Sequence, residues 1–302
     1  MPDSTIKQRI LFIVNPISGS RRRRNLVQLI NDHIDRNKYD ITIALTKYAG
    51  HAIEISRDAV KDNYNVIVAV GGDGTVNEVA SQMINSNSTL GIIPGGSGNG
   101  LARHLNIPLI ATRAINLLNK GVESRIDTAT VNGRPFISIA GIGFDALVAK
   151  KFAKSPRRGF LTYFRIAANE FMTYKPKKYT LSFDDGLYIK RRAFFIAFAN
   201  SNQFGYNAKI APNARLNDGK IDICIAQKPN VFQTPVVANL LLLKLIDKSP
   251  LMDIIPTTGV TIEQKKNRVI NIDGEPVKIS KKLTVKVVPS SLKVIIPQNE
   301  PK

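Results

Sequence analysis

The feature that most constrains the fold is an apolar run that ends abruptly in glycines. Residues 66–70 have the pattern of a buried strand, and Gly71-Gly72-Asp73-Gly74-Thr75 follows directly, ahead of a helix-compatible segment. Glycine adopts backbone conformations that other residues cannot hold, and it lets backbone amides approach an anion closely. The sequence therefore predicts a turn that holds phosphate beside one carboxylate, and a phosphoryl-transfer enzyme is the first hypothesis.

Strands and helices alternate along the first 125 residues. We predict strands at 9–14, 39–45, 66–70 and 90–93, and helices at 25–36, 49–61 and 75–84. Such alternation indicates a parallel sheet, with ligands beyond the carboxyl ends of its strands. Glycine-containing loops follow three of the strands, at residues 16–20, 71–75 and 94–99. We therefore expect an α/β nucleotide-binding domain over residues 1–125.

The pattern changes after residue 125. Short apolar runs alternate there with turn signals such as Asn132-Gly133, Asp185-Gly186 and Asp273-Gly274. Short strands joined by such turns are typical of antiparallel sheets. We predict an antiparallel β-sandwich domain over residues 126–289, with helical insertions at 144–152, 159–173 and 231–246.

Charge and cysteine content limit the classes of partner and compartment. The net charge is +20. Residues 150–178 contain nine basic residues and only one acid, Glu170, and Arg21–Arg24 form a second basic cluster. This excess favours polyanions, namely nucleic acid, an anionic membrane or phosphorylated ligands, although a solvated basic surface is the alternative. Cys224 is the only cysteine, and neither a signal peptide nor a run long enough to span a bilayer is present. We expect a soluble, cytoplasmic protein.

Other phosphate-binding motifs are missing from the sequence. It contains neither the Gly-x-x-x-x-Gly-Lys-Ser/Thr loop nor the dinucleotide form of Gly-x-Gly-x-x-Gly, and it lacks the protein-kinase motif set. P-loop enzymes, classical dinucleotide-binding proteins and protein kinases are therefore excluded.

Six motifs, in order along nearly the whole chain, carry a family resemblance. They are Asn15-Pro16 with Ser18-Gly19, Gly71-Gly-Asp-Gly-Thr-Val-Asn-Glu78, Ile92-Ile-Pro-Gly-Gly-Ser-Gly-Asn-Gly-Leu-Ala-Arg103, Gly141-Ile-Gly-Phe-Asp145, Ala214-Arg-Leu-Asn-Asp-Gly219 and Asp273-Gly-Glu275. With them the chain resembles the diacylglycerol kinase catalytic-domain superfamily, which includes sphingosine kinases and bacterial soluble lipid kinases. The resemblance implies a phosphofructokinase/NAD-kinase-like α/β domain, a β-sandwich lipid domain, an active site between them, and a tail of about residues 290–302 packed back on the first domain.

The resemblance also implies roles for residues of the first domain. Asp73 matches an acid that organises the nucleotide phosphates and Mg²⁺, and we treat it as catalytic. Thr46 matches a nucleotide contact, with a turn-capping role as its alternative. The nucleotide-binding positions implied are Asn15, Thr46, Gly71, Gly72, Asp73, Gly74, Thr75, Asn77 and Ser97.

In the second domain, the resemblance assigns Glu275 as the general base for the lipid hydroxyl, whereas an ordinary hairpin tip is the alternative. Asp218 matches a metal-binding acid whose site is completed by the backbone carbonyls of Arg215 and Lys220, and carboxylate and carbonyl oxygens suit Mg²⁺. A plain turn is the competing interpretation. Asp145 matches an acid that contacts the lipid headgroup, or else is an acid at a helix amino terminus.

A helical segment beside the basic residues suggests how the lipid is reached. Phe160, Tyr163, Phe164, Ala167 and Phe171 lie on one helical stripe, which predicts an acyl-chain groove or a membrane-docking face, with core packing as the alternative. The flanking cations would attract an anionic leaflet.

Together these observations predict an ATP- and Mg²⁺-dependent lipid kinase in peripheral contact with an anionic membrane and without a nucleic-acid partner. Diacylglycerol is the default acceptor. A sphingoid base is the second candidate, because the run at residues 94–102 looks closer to sphingosine kinases and Gly100 replaces an aspartate that is common in diacylglycerol kinases. The rival hypotheses are a kinase of soluble substrates resembling NAD kinase, and a non-catalytic basic protein that binds lipid or nucleic acid.

Overall fold

The computed structural model describes residues 7–16, 26–156, 159–203 and 208–298. Contacts divide these residues into two compact units, one running to Ile126 and resuming at Ser290, the other Asp127–Pro289. The predicted loop with Ser18 and Gly19, the cluster Arg21–Arg24, and Arg157 with Arg158 lie outside the described residues.

Strands and helices are numbered in chain order. The strands are β1 (Gln8–Val14), β2 (Tyr39–Leu45), β3 (Val66–Gly71), β4 (Thr89–Pro94), β5 (Val122–Val131), β6 (Arg134–Phe136), β7 (Ile139–Gly143), β8 (Lys177–Phe183), β9 (Tyr188–Ala193), β10 (Phe195–Ala199), β11 (Ile221–Ala226), β12 (Met252–Thr257), β13 (Gly259–Gln264), β14 (Arg268–Ile272), β15 (Glu275–Ile279) and β16 (Lys282–Ile296). The α-helices are α1 (Leu26–His33), α2 (His51–Lys61), α3 (Asp73–Met83), α4 (Gly100–His104), α5 (Ala111–Lys120), α6 (Phe144–Ala153), α7 (Phe160–Thr173) and α8 (Thr234–Leu242).

The first unit is built on the parallel strands β2-β1-β3-β4, in that order. Every residue of β3 and β4 is buried, as expected for central strands covered on both faces. Helices α1 and α5 pack on Phe12 and Val68 of one face. The end of β16 adds to this unit, since Val294 pairs with Leu90 in parallel. The predicted parallel α/β sheet is confirmed.

The second unit is an antiparallel sandwich, also as predicted. One sheet has the order β12-β11-β10-β7-β14-β15, and the other includes β16-β13-β8-β9. Alternate side chains of both sheets, such as Ile196 and Ile223 from one and Leu181 and Val260 from the other, form a shared core. Alternation at a period of two, with apolar residues facing inward, is what a sandwich requires.

Two-residue turns set the hairpins of this unit. Asp273 and Gly274 both have positive φ, 46° and 93°, and they join Ile272 to its paired partner Glu275. Turns with positive φ at both central residues match the twist of the strands that they connect, which explains the preference for Asp-Gly and Asn-Gly.

Some predicted boundaries are wrong. Helix α3 begins at Asp73, ahead of the predicted residue 75, because the extended Gly72 acts as its N-cap. Strand β16 runs past the predicted domain boundary at residue 289, with Ser290 at a φ of 49°. Helix α8 is shorter than the predicted 231–246, and helices α4 and α5 have no predicted counterpart. Within the described ranges, no helix combines the length and the apolar character needed to cross a bilayer.

Candidate active site

Asp73 joins the loops that follow two neighbouring strands of the first unit. Its Oδ2 accepts a hydrogen bond of 2.9 Å from the amide of Asn99, and its Oδ1 accepts one of 2.6 Å from the amide of Gly100. The carboxylate therefore holds the first residues of α4 against the first turn of α3. Hydrogen bonds from backbone amides to an ionised acceptor are among the stronger ones in proteins.

Three glycines allow close packing within and between these loops. A Cβ on Gly96 would lie 2.7 Å from Cα of Gly72, and a Cβ on Gly71 would lie 2.5 Å from Oγ1 of Thr75. Gly74 differs, since a Cβ there would meet no atom within 4 Å and the residue is exposed. The glycines at 71, 72 and 96 thus serve close packing, whereas Gly74 leaves open space beside the amides of the turn.

Asn15 and Thr75 are brought together at the same sheet edge. Nδ2 of Asn15 donates to Oγ1 of Thr75 over 3.0 Å, and Thr75 is buried. The side chain of Thr75 therefore ties the residue after β1 to the first turn of α3. This packing role of Thr75 is not apparent from the sequence.

The other predicted nucleotide contacts lie on neighbouring segments of this unit. Thr46 follows β2, and its amide donates to the carbonyl of Val14 over 2.9 Å. Ser97 is exposed in the loop after β4, and Asn77 is half-buried on α3. The structure thus places the predicted residues of the first unit beyond the carboxyl ends of β1 to β4 and in the first turns of α3.

Asp145 is a buried acid in the first turn of α6 in the second unit. It is 4% exposed, its Oδ2 accepts a hydrogen bond of 3.0 Å from Nδ2 of Asn271, and its Oδ1 has no hydrogen-bond partner among the described residues. Burial raises the pKa of Asp145 to about 6, and the hydrogen bond from Asn271 opposes that rise. Gly141 makes room for this carboxylate, because a Cβ at that position would lie 2.5 Å from Oδ2.

The same network reaches the hairpin that carries Glu275. Oδ1 of Asn271 accepts a hydrogen bond of 2.9 Å from the amide of Gly274. Glu275 begins β15 as an exposed residue, and within the described part of the chain its carboxylate has no hydrogen-bond or ion-pair partner. Asn271 thus connects the buried acid Asp145 with the turn directly before the exposed acid Glu275.

Asp273 has a structural role that sequence analysis missed. Its carboxylate accepts hydrogen bonds from the amides of Ile137 (2.7 Å), Ser138 (2.9 Å) and Ile139 (2.9 Å). These bonds fix the start of β7 to the hairpin. The Asp-Gly pair in the sequence predicts the turn and the positive φ of Asp273. It does not predict the distant amides that the carboxylate binds.

The predicted metal-binding loop contains more carboxylates than the sequence suggested. Oδ1 of Asp218 accepts a hydrogen bond of 3.0 Å from the amide of Lys220, and Oδ2 of the buried Asp127 accepts one of 2.7 Å from Gly219. Burial, and secondarily the charge of Asp218, raise the pKa of Asp222 to about 6. No cluster of three metal-binding side chains occurs among the residues described, so a cation would need backbone oxygens too.

The predicted stripe on α7 is divided in the structure. Phe171 packs edge-on against Phe144 and Phe194, and Tyr163 packs against Phe152. Phe164 is exposed instead, and the side chain of Phe160 lies outside the described residues. On the same helix, Glu170 forms an ion pair with Lys151.

Two family profiles cover most of the chain. The diacylglycerol kinase catalytic domain matches residues 9–131, and the YegS C-terminal NAD kinase beta sandwich-like domain matches residues 138–296. The two matches fall on the parallel α/β sheet and on the antiparallel sandwich, respectively. This pairing of domains defines a lipid kinase.

Similar proteins agree with that class. The diacylglycerol kinase of Bacillus subtilis strain 168 is 29% identical over 276 residues, covering 89% of this chain and 90% of that protein. The diacylglycerol kinase of Staphylococcus saprophyticus is 24% identical over 274 residues, with coverage of 89% and 90%. The present chain belongs to the diacylglycerol kinase catalytic-domain superfamily.

Solved structures support the fold. A crystal structure of a diacylglycerol kinase from Bacillus anthracis strain Sterne matches with a TM-score of 0.76 and 20% identity, covering 97% of this chain and 98% of that chain. Another structure from the same strain has a TM-score of 0.80 and 23% identity, with coverage of 97% and 99%. Kinases of this superfamily use ATP as phosphoryl donor and a lipid as acceptor.

Proposed function

We propose that the enzyme transfers the γ-phosphate of ATP to the hydroxyl of diacylglycerol in a Mg²⁺-dependent reaction. The observation that supports nucleotide binding is the pair of loops held together by Asp73, next to the open space at Gly74. The acceptor follows from the relatives named diacylglycerol kinase, which match this chain over 89% of its length.

The first unit is proposed to bind the nucleotide. The turn at Gly71–Thr75 begins α3, and free amides at a helix amino terminus attract phosphate. Ser97 and Asn15 flank this turn from the neighbouring loops, with Thr46 and Asn77 as further contacts. Phosphoryl transfer requires mainly positioning and charge stabilisation, which rigid backbone amides supply.

The loop of Asp218 is proposed to hold Mg²⁺. The carboxylates of Asp218 and Asp222, with the backbone carbonyls of Arg215 and Lys220, offer the hard oxygen donors that this cation prefers. When bound, Mg²⁺ would supply positive charge at this loop.

Glu275 and Asp145 are proposed to serve the acceptor. Glu275 is an exposed carboxylate on a fixed hairpin, as a general base must be to take the proton of an incoming hydroxyl. Asp145 is proposed to contact the lipid headgroup. Its carboxylate is buried in this position, which is unfavourable for an ionised group. A perturbed pKa in a carboxyl group is a frequent mark of functional sites.

Membrane contact is proposed to involve the segment that contains α8. We call Val231, Phe232, Val236, Leu242, Leu243 and Leu245 the apolar face; all six are exposed, with Phe232 at 89% and Leu242 at 77%. Lys228 ties this segment to the end of α7 by donating to the carbonyls of Met172 (3.1 Å) and Tyr174 (2.8 Å). Nearby Lys244 and Lys248 favour an anionic bilayer over a neutral one.

The acceptor can be tested directly. Purified protein is incubated with Mg²⁺ and labelled ATP in parallel with diacylglycerol in mixed micelles, sphingosine in the same micelles, and NAD in solution, and products are identified by mass spectrometry. We expect phosphatidic acid to be the main product. Phosphorylation of sphingosine alone would overturn the proposed acceptor, and phosphorylation of no lipid would overturn the whole proposal.

The role of Asp73 is tested by Asp73→Asn, with Asp58→Asn as a matched control on the exposed side of α2. We expect kcat to fall about 100-fold or more in the first variant, as when one group that positions charge is lost. The control should keep full activity. Equal activity in the two variants would contradict a catalytic role for Asp73.

A further inference from the structure

The second unit contains a cavity of about 630 Å³ that the proposed reaction does not use. It is lined by residues of α6, β14 and β15, together with Tyr174 and Lys177. Its volume lies in the range of about 300–1,000 Å³ that small-molecule sites occupy. The cavity is therefore large enough for a lipid headgroup with its glycerol.

Four cationic side chains line this cavity. They are Lys150 from α6, Lys177 from β8, Arg268 from β14 and Lys278 from β15, and no described acidic residue lies among the lining residues. Like charges repel one another in a shared space, so such a set has an electrostatic cost until an anion enters. The charge of the lining thus points to an anionic ligand.

Arg268 supplies an independent sign of a missing partner. Its Nε atom is buried and has no hydrogen-bond acceptor among the described residues. A buried donor without an acceptor is costly, and in native structures it usually marks an unseen ligand, ion or water. Guanidinium groups match phosphate oxygens especially well, because they present several donors in one plane.

The rest of the lining is aliphatic. Ala146 and Leu147 contribute from α6, and Val269 and Ile279 contribute from the two strands. A free inorganic ion gains nothing from such side chains, whereas the glycerol and first acyl carbons of a lipid do. The ligand that fits both parts is therefore a phosphate attached to an apolar body.

We propose that this cavity binds the phosphate of an anionic glycerophospholipid, with the glycerol backbone against the aliphatic side chains. The proposal goes beyond the binding of ATP and of the acceptor hydroxyl. Lys278 shares β15 with Glu275, and Lys150 shares α6 with Asp145, so bound lipid would touch the two elements that carry the proposed acceptor residues.

The test measures binding without ATP or Mg²⁺, so that its outcome is independent of phosphoryl transfer. Dihexanoyl phosphatidylglycerol, below its micelle concentration, is titrated into the full chain by calorimetry. Dihexanoyl phosphatidylcholine, which has the same tails but a zwitterionic headgroup with no net charge, and inorganic phosphate are titrated in parallel. We expect phosphatidylglycerol to bind at least roughly tenfold more tightly than either, through charge-assisted contacts combined with apolar ones.

Variants locate the site. Lys150→Glu and Lys278→Glu change exposed cavity residues and should each weaken phosphatidylglycerol binding roughly tenfold or more, as should Arg268→Gln. Lys190→Glu, on the exposed strand β9, is the charge-matched control and should bind like the wild type. The proposal is overturned if the control weakens binding as much as Lys278→Glu does, or if the two lipids bind equally. Equal binding of inorganic phosphate would overturn the lipid as the ligand.

Discussion

Asn271 donates a hydrogen bond of 3.0 Å from its side-chain amide to Oδ2 of Asp145, while Oδ1 of the same buried carboxylate has no hydrogen-bond partner among the described residues. One hydrogen bond does not replace the hydration that burial removes, and the pKa of Asp145 rises to about 6 as a result. At neutral pH the protein therefore holds an incompletely paired charge beside the hairpin of Glu275. Retention of such a charge fits a residue kept for a ligand.

The first prediction concerns the pH dependence of stability. Between the ordinary pKa of an aspartate, near 3.8, and the folded value near 6, the folded state holds a proton that the unfolded state has released. Raising the pH through this window therefore removes stability, by about 3 kcal/mol once Asp145 is ionised in both states. Asp145→Asn should abolish this loss. In urea unfolding, the variant should gain stability over the wild type from pH 4 to pH 7.5; a constant difference would contradict the burial argument.

The second prediction contrasts two glycines of the first unit. In Gly96→Ala the new Cβ would lie 2.7 Å from the backbone of Gly72, so the two loops must separate. We expect a loss of about 1–3 kcal/mol in unfolding free energy, together with a higher KM for ATP. Gly74→Ala is the matched control for stability, because its Cβ meets no atom within 4 Å and alanine favours the helix by up to about 1 kcal/mol. Denaturant titration of both variants measures their unfolding free energies. Equal losses of unfolding free energy in the two variants would contradict the close-packing role of Gly96.

The third prediction concerns Glu275. Because this carboxylate is exposed and has no partner in the described structure, Glu275→Gln should leave the melting temperature and the KM for ATP unchanged. If Glu275 is the general base, kcat should fall by about 100-fold to 10,000-fold. Glu263→Gln, another exposed strand residue, is the control. Unchanged kcat would leave Glu275 as an ordinary hairpin residue.

Short-range patterns predicted the fold, and long-range partners limited what could be predicted of the site. Runs such as residues 66–70 and the Asp273-Gly274 turn carry their own signals, because strand period and turn conformation depend on neighbouring residues. The amide partners of Asp273 at 137–139 lie more than a hundred residues away along the chain, so no local sequence pattern predicts them.

The two helices without a predicted counterpart show a different limit. Helix α4 has only five residues and begins at Gly100, a poor helix former, so propensity does not mark it. Its first amide is held instead by the carboxylate of Asp73. Helix α5 buries only Ala114, Ile115 and Leu118, which form a narrow apolar stripe. These side chains are buried because they pack against the strands of the sheet. Tertiary contacts decide both elements.

The last prediction concerns the apolar face around α8. Phe232 and Leu242 are among its most exposed side chains, and insertion of each into a bilayer interface should contribute about 1 kcal/mol or more. The double variant Phe232→Ser with Leu242→Ser should therefore bind vesicles of phosphatidylcholine and phosphatidylglycerol roughly thirtyfold less than the wild type, or more weakly still. Ile110→Ser, which removes an exposed apolar side chain in the first unit, is the control and should bind normally. Lys244→Gln should reduce only the electrostatic contribution to vesicle binding, which is the contribution that salt screens. Vesicle sedimentation measures all four proteins, and wild-type binding by the double variant would show that the apolar face does not contact the membrane.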